Sequence, residues 1–373
     1  METSSTTKMR FEDIAQLRRD FYVPSENESL NYIGLEHINQ QSLDLNGIGD
    51  SATVVSQKNR FFSGDILFGK LRPYFRKVVR PKFDGVCSTD IWVINAKPGI
   101  DQAYLFYLLA SPKFIDASVA GSSGTRMPRA DWDYLSETEW DIPTHEVQKR
   151  IGEILSSLDD KIELNRRINE TLEAIAQAIF KEWFVDFNYP GATGKLVPSP
   201  LGPIPEDWEV HPMSKFYKLE YGKGLKNDKR ESGSIPVYGS NGIIGYHNEH
   251  FTEGPGIVIG RKGSVGNVFW VNENFFPIDT TFFVSSTMDD PISPFDYYMF
   301  EEINLPVLTS DSAVPGLNRN EALGVVSVFP NFKVKESFNF YAKVIFETIT
   351  QIKSEIIALG KIRDNILNQI YSY

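Results

Sequence analysis

Cysteine is nearly absent: Cys87 stands alone among 373 residues. No internal disulfide can brace such a chain, and a reducing compartment is its expected setting. No stretch reaches the 18 or so apolar residues that a membrane span needs. The first 30 residues hold no apolar run of signal-peptide length, so a cytoplasmic protein, without membrane partners, is expected. Net positive charge is lacking as well. Lys and Arg number 38 against 49 Asp and Glu, a formal charge of −11. Taken as a sum, that argues against a polyanionic partner, because phosphate binding usually leaves a basic footprint.

Catalytic signatures are equally scarce. There is no G-x-x-x-x-G-K-[ST] phosphate loop and no H-E-x-x-H metal helix. The glycines of Gly47-Ile48-Gly49-Asp50-Ser51-Ala52 do not sit between a clear strand and a helix, and read as a turn. His247-Asn248-Glu249-His250 has no cysteine or further histidine cluster to complete a metal site, and reads as a solvated loop. The Asn/Asp-Pro-Pro-aromatic motif that amino-methyltransferases use on a flipped base is missing. Asn188-Tyr189-Pro190 has the wrong order. Ser, His and Asp can be combined at will in a chain of this length, and without spacing they carry no weight. The expectation is a chain that performs no covalent chemistry and holds no metal.

What is present is an ordinary globular composition, 41% hydrophobic and 23% charged, at a length that suits two domains. It also repeats. In GDILFGKLRPYFRKVVRPKFDGVCSTDIWVI (64–94) and GPGIVIGRKGSVGNVFWVNENFFPIDTTFFV (254–284), an apolar strand runs into a glycine followed by a basic residue, Gly69-Lys70 and Gly260-Arg261. Thr89 and Thr280 follow those glycines at the same distance, each beside an aspartate, Asp90 and Asp279. Each copy continues with a short aromatic helix, YLFYLLAS (104–111) and FDYYMFEEI (295–303). Then come a polar loop, from Gly121 and from Thr309, and a strand closing on Pro143 or Pro330. A period of about 190 residues is too long for a solenoid. It describes two copies of one domain, with a Pro- and Gly-rich linker over 188–210 between them.

Each copy ends in a long helical pattern. Ile151, Leu158, Asn165, Leu172 and Ile179 recur every seven residues, with Val147, Ile154, Ile168 and Ile175 assigned to the complementary track. In the second helix Ile345, Ile352, Leu359 and Ile366 recur every seven, with Ile349, Ile356 and Ile370 offset by four. These are coiled-coil seams, interrupted by Lys161, Asn165 and Arg363 in the way that fixes register. Two amphipathic helices lying separately on their cores are the alternative. The pseudo-twofold repeat favours antiparallel pairing. The resulting fold class is α+β: two similar mixed α/β domains separated by two long helices in an antiparallel coiled coil. The boundaries read 1–143 for the first domain, 144–187 for its helix, 188–335 for linker and second domain, and 336–373 for the last helix.

Charge counted locally changes the picture that −11 suggests. Residues 58–82 hold Lys58, Arg60, Lys70, Arg72, Arg76, Lys77, Arg80 and Lys82 against Asp65 alone, a local +7. Residues 215–230 reach +4. Aromatics interleave both stretches: Tyr74 and Phe75 in one, Phe216, Tyr217 and Tyr221 in the other. Solubility alone is one explanation of such patches; contact with phosphates is another. On the second reading the candidates are Lys70, Arg72, Arg76, Lys77, Lys223, Lys226, Arg261 and Lys262. In the later loops Arg126, Arg129, Asn318 and Arg319 are of the types that read guanine and adenine edges.

These residues carry a family likeness. The chain resembles the specificity subunits of type I restriction-modification systems in Tyr32-Ile33-Gly34-Leu35-Glu36-His37-Ile38, GDILFGKLRPYFRKV (64–78) and GSSGTRMPRADW (121–132). The helix over 142–184 is the most specific match, and IPEDWEV (204–210) resembles the family's lead-in to a recognition domain. The first copy lacks that Ile-Pro-x-x-Trp lead-in, and little follows the last helix. The resemblance implies a non-catalytic subunit with two target-recognition domains, each reading one half of an interrupted site on double-stranded DNA. The helices would space the domains and dock two methyltransferase subunits through Ile151, Leu158, Asn165, Leu172, Ile179, Ile345, Ile352, Leu359 and Ile366. No cofactor is expected on this chain. S-adenosylmethionine would lie on the methyltransferase subunits, and ATP and Mg on restriction subunits. A helix of about 36 residues is roughly 54 Å long, and half-sites read from one face lie about 34 Å apart per turn of DNA. Two other readings stay open: the specificity subunit of another multisubunit methyltransferase-nuclease, or a two-domain scaffold that binds protein.

Overall fold

A computed structural model describes residues 6–25, 28–124, 126–288, 290–308 and 316–371. The chain divides into two compact units, one of residues 1–166 with 354–373, the other of residues 167–353.

In the first unit, Thr6–Arg10 pairs antiparallel with Glu139–Pro143. A four-stranded sheet runs in the order Ala15–Leu17, Ile91–Ala96, Ile66–Gly69, Val78–Val79. A five-stranded sheet runs Phe21–Tyr22, Lys58–Phe61, Gly85–Cys87, Asn31–Ile33, Gly49–Asp50, and its 31–33 and 85–87 strands are parallel. Behind the four-stranded sheet lie two helices, Gln102–Ala110 and Pro112–Ala120. The first is apolar on every side, as a fully buried helix must be, and residues 104–110 are all buried. Its N-terminus is held by Asp101, whose side chain accepts from the Tyr104 amide at 2.8 Å. Ser111 caps the second, with Pro112 placed where a missing amide costs nothing. The single aromatic helix expected over 104–111 is therefore the first of two, broken at Ser111-Pro112.

The second unit repeats these pairings. Glu209–Pro212 pairs with Val326–Phe329. Its four-stranded sheet runs Tyr217–Tyr221, Thr281–Ser286, Gly256–Gly260, Val268–Val271, the same arrangement as in the first unit. Its smaller sheet runs Gly242–His247, Ile235–Gly239, Phe276–Pro277, with the last two parallel. The aromatic helix is Pro294–Glu302. The internal repeat is thus a repeat of topology, carried by strands whose apolar runs read alike.

The long helices span His145–Phe184 and Phe332–Tyr371. The second begins four residues before Glu336, because the Asn331 side chain accepts from the Val334 amide at 3.1 Å and caps a turn that buries Val334. Within the first unit Asp159 meets Arg363 and Lys161 meets Glu355. Within the second, Glu173 meets Lys353 and the Phe180 ring meets that of Phe338. Numbers fall on one helix as they rise on the other, so the pairing is antiparallel in each unit.

The seam differs from the expected one on the first helix. Ile154 and Ile175 are exposed, 47% and 44%. The track that packs beside Leu158, Leu172 and Ile179 is Gln148, Leu155, Ile162, Asn169, Ala176 and Trp183, every one buried. It escaped the apolar pattern because half its members are polar or small. Gln148 is buried because it is satisfied: it accepts from the Asp101 amide and donates to the Pro143 carbonyl, both at 2.9 Å. Ile151, Ile345 and Ile366 are half-buried against the cores, Asn165 is buried, and Ile352 and Leu359 are half-buried. Among the described residues no helix is long and apolar enough to cross a membrane, and no cluster of His, Cys, Asp or Glu is placed to hold a metal. His247 does not lie in a solvated loop: it is buried at the end of its strand and its ring accepts from the Glu231 amide.

Candidate nucleic-acid interface

The basic run of the first copy does not form one surface. Lys58 is buried, with Nζ donating to the Ser56 carbonyl and hydroxyl, both at 2.7 Å. Arg80 lies over the Phe106 ring and donates to Ser156, and Lys82 pairs with Asp160. Arg76, grouped by sequence with the phosphate contacts, is 9% exposed. Its Nε donates to the Ala110 carbonyl at 2.7 Å and its Nη2 meets Asp364 at 3.1 Å. Burial pulls its pKa down and Asp364 pushes it back up. Lys77, from the same group, is half-buried with Nζ on the Leu35 carbonyl, and burial lowers its pKa. These two cations face inward because the strand and turn that carry them pack against other parts of their own unit.

What remains at the sheet's end is a compact edge. Gly69 closes its strand, and the Lys70 amide donates to the Asp90 carbonyl at 3.0 Å. The loop from Gly121 folds back on this corner: the Ala130 amide donates to the Lys70 carbonyl at 2.9 Å and the Arg72 amide to the Pro128 carbonyl at 2.7 Å. Arg129 pairs with Ser123 through two backbone bonds and sends Nη2 to Asp90 at 3.4 Å. Arg126 is exposed at the tip. Arg72 is left-handed, φ 52°, as is Arg76, φ 50°, at the two ends of the turn Pro73–Phe75. Non-glycine residues hold that conformation only where surrounding contacts enforce it, and such residues cluster at functional sites.

The second unit builds the same corner. The Arg261 amide donates to the Thr280 carbonyl at 2.9 Å, and the Leu317 amide donates to the Arg261 carbonyl at 2.9 Å. Lys262 bridges to Gly316 and is exposed. Asn318 caps the helix Arg319–Gly324, accepting from the Asn320 and Glu321 amides, so its side chain holds the loop that presents Arg319. Lys223 lies over the Phe251 ring and Lys226 is exposed. Arg261 and Arg319 both lie near the ring of Tyr221, at 5.0 and 5.6 Å. Residues 309–315 of this loop lie outside the described residues.

The structure therefore brings Lys70, Arg72 and Arg129 to one corner, with Arg126 on the same loop, and Arg261, Lys262, Asn318 and Arg319 to its counterpart. Sequence reasoning missed the role of Asp90, although its place beside the repeated threonine was visible. It saw Tyr221 only as one aromatic among basic residues.

Comparison with known proteins agrees with this duplicated layout. The family described as type I restriction modification DNA specificity domain matches residues 4–174 and 205–318, well over half the chain. The specificity subunit of the HindI type I restriction enzyme of Haemophilus influenzae is 39% identical over 137 residues, 35% of this chain and 30% of that protein. The chain therefore aligns with less than a third of that relative's length. The MjaIX specificity subunit of Methanocaldococcus jannaschii is 24% identical over 303 residues, 74% of this chain and 70% of that protein. A type I restriction-modification S subunit from M. genitalium shares the fold, with a TM-score of 0.57 at 18% identity over 98% of this chain and 96% of that one. The match in both halves, on a topology built twice, means that this chain belongs to the type I restriction-modification DNA specificity family.

Proposed function

We propose that this chain is the DNA-recognition subunit of a type I restriction-modification complex, cytoplasmic and non-catalytic, binding an interrupted site with one half read by each unit. The observation that carries this reading is the same basic corner built twice, each from a strand end and a later loop tied together by backbone hydrogen bonds. Lys70, Arg72, Arg126 and Arg129 would face the first half-site. Lys223, Lys226, Arg261, Lys262 and Arg319 would face the second, with Asn318 holding the last of them. Arg76 and Lys77 support the first corner from behind. The recognition domains correspond to residues 1–143 and 188–335. The long helices 144–187 and 336–373 would dock methyltransferase subunits, which would carry S-adenosylmethionine and methylate adenine. Restriction subunits would bring ATP and Mg.

The test is to assemble the chain with its methyltransferase subunits and map the methylated adenines. Arg126→Ala with Arg129→Ala should relax the target in one half only. Equal loss in both halves would overturn modular reading. Binding should weaken steeply as salt rises. A flat salt response would favour the protein-binding scaffold, the reading that the −11 net charge supports.

A further inference from the structure

Tyr221 is the last residue of the strand Tyr217–Tyr221 and is 53% exposed. Its strand partner is Phe282, whose ring lies 5.0 Å away and is itself buried in the core of the unit. The tyrosine ring is thus held on a rigid support. Two guanidinium groups share it. Arg261, one residue past the strand Gly256–Gly260, lies 5.0 Å from the Tyr221 ring and 5.7 Å from that of Phe282. Arg319, at the start of its helix, lies 5.6 Å from Tyr221. Three chain segments distant in sequence therefore converge on one side chain, and the Leu317-to-Arg261 backbone bond ties two of them together.

Like charges do not gather without a reason. The face of an aromatic ring attracts a cation without neutralising it. Among the described residues neither guanidinium has a carboxylate within ion-pair distance, whereas Arg129 at the first unit's corner has Asp90. Held beside the ring, both arginines surrender rotamer freedom before a ligand arrives, which lowers the entropy cost of engaging one.

We propose that Tyr221 is a positioning residue for recognition of the second half-site, holding Arg261 and Arg319 as one coupled pair against DNA. The inference rests on the reading of this chain as a DNA-recognition subunit. It assigns to the second unit an aromatic pivot, and predicts that the two arginines act together.

The experiment uses the full chain assembled with its methyltransferase subunits. It measures binding to duplexes carrying the intact site, a changed first half or a changed second half. Tyr221→Leu should lower discrimination at the second half about tenfold, the size expected for losing two cation–ring contacts. Discrimination at the first half should stay at its starting value, and Tyr221→Phe, which keeps the ring, should restore what Tyr221→Leu removes. Arg261→Ala and Arg319→Ala should be non-additive, as coupled residues are. In the double variant Tyr221→Leu should cost nothing more. Unaltered second-half discrimination in Tyr221→Leu overturns the proposal, as do equal losses at both halves or strict additivity of the two arginines. If Tyr221→Leu does not fold, as judged by its melting curve, the arginine cycle decides by itself. If the unaltered chain shows no half-site dependence, it is the reading as a DNA-recognition subunit that fails, and that result is distinct from a failure at Tyr221.

Discussion

The two units share a topology but hold their long helices with different chemistry. In the first, the contact is charged. Arg363 is 4% exposed and reaches Asp159 at 2.7 Å, Asp364 at 3.2 Å and the Ser42 carbonyl. Arg76 reaches the same Asp364, Arg166 pairs with Asp44, and the Tyr107 hydroxyl donates to Asp159. Burial works against the charge on Arg363, but the two aspartates outweigh it and its pKa rises. In the second unit the contact is aromatic. Phe180, Trp183 and Phe184 of one helix meet Phe338 of the other, and Phe346 meets Trp270, Tyr297 and Tyr298 in tilted and edge-to-face contacts. The contrast recurs at the basic corners, where Arg129 meets a carboxylate and Arg261 and Arg319 meet a ring. One backbone plan accepts either solution, because a sheet-and-helix scaffold needs its polar groups satisfied and its apolar stripe covered, and is indifferent to which residues achieve this.

The comparison can be broken most forcefully in the second unit. Phe338→Ala removes a ring that is 1% exposed and meets those of Phe180, Trp183, Phe184 and Tyr298. It should destabilise that unit by about 4 kcal/mol, with little dependence on salt. Denaturant unfolding followed by hydrogen exchange resolves which unit opens, and a loss confined to the first unit would contradict the assignment. Asp159→Ala should cost the first unit about 3 kcal/mol, because it leaves a buried arginine short of its nearest partner. Asp159→Asn, which keeps an acceptor for Tyr107, should recover part of that loss. No difference between the two variants would mean that the lost charge, and not the lost acceptor, accounts for the whole effect. The smallest effect sharpens the corners: Asp90→Asn releases Arg129 and should tighten binding at the first half-site by about threefold at low salt, with the second half unaffected. Titrations at two salt concentrations measure it, and weaker binding would show that Asp90 orients Arg129 and does not merely compete for it.

Much of the scaffold was legible in the sequence. Gly69-Lys70 and Gly260-Arg261 do occupy the same place in two matching sheets, and the long helices run where sevenfold periodicity put them. The packed track of the first helix was not legible, since Gln148, Asn169 and Ala176 give no apolar signal. Gln148 goes inside because the Asp101 amide and the Pro143 carbonyl happen to meet it there. The +7 run misled in a related way. A count of charges cannot see that Lys58, Arg76, Lys77, Arg80 and Lys82 have internal partners.

Sequence by itself determined the duplication, the two long helices and the family, because period and motif spacing are properties of the chain read in one dimension. Tertiary structure alone decided which cations remain available to a ligand. A guanidinium is free or engaged according to what lies within a few ångströms of it. For Arg76 that is Asp364, 288 positions away; for Arg261 and Arg319 it includes the ring of Tyr221, which they share.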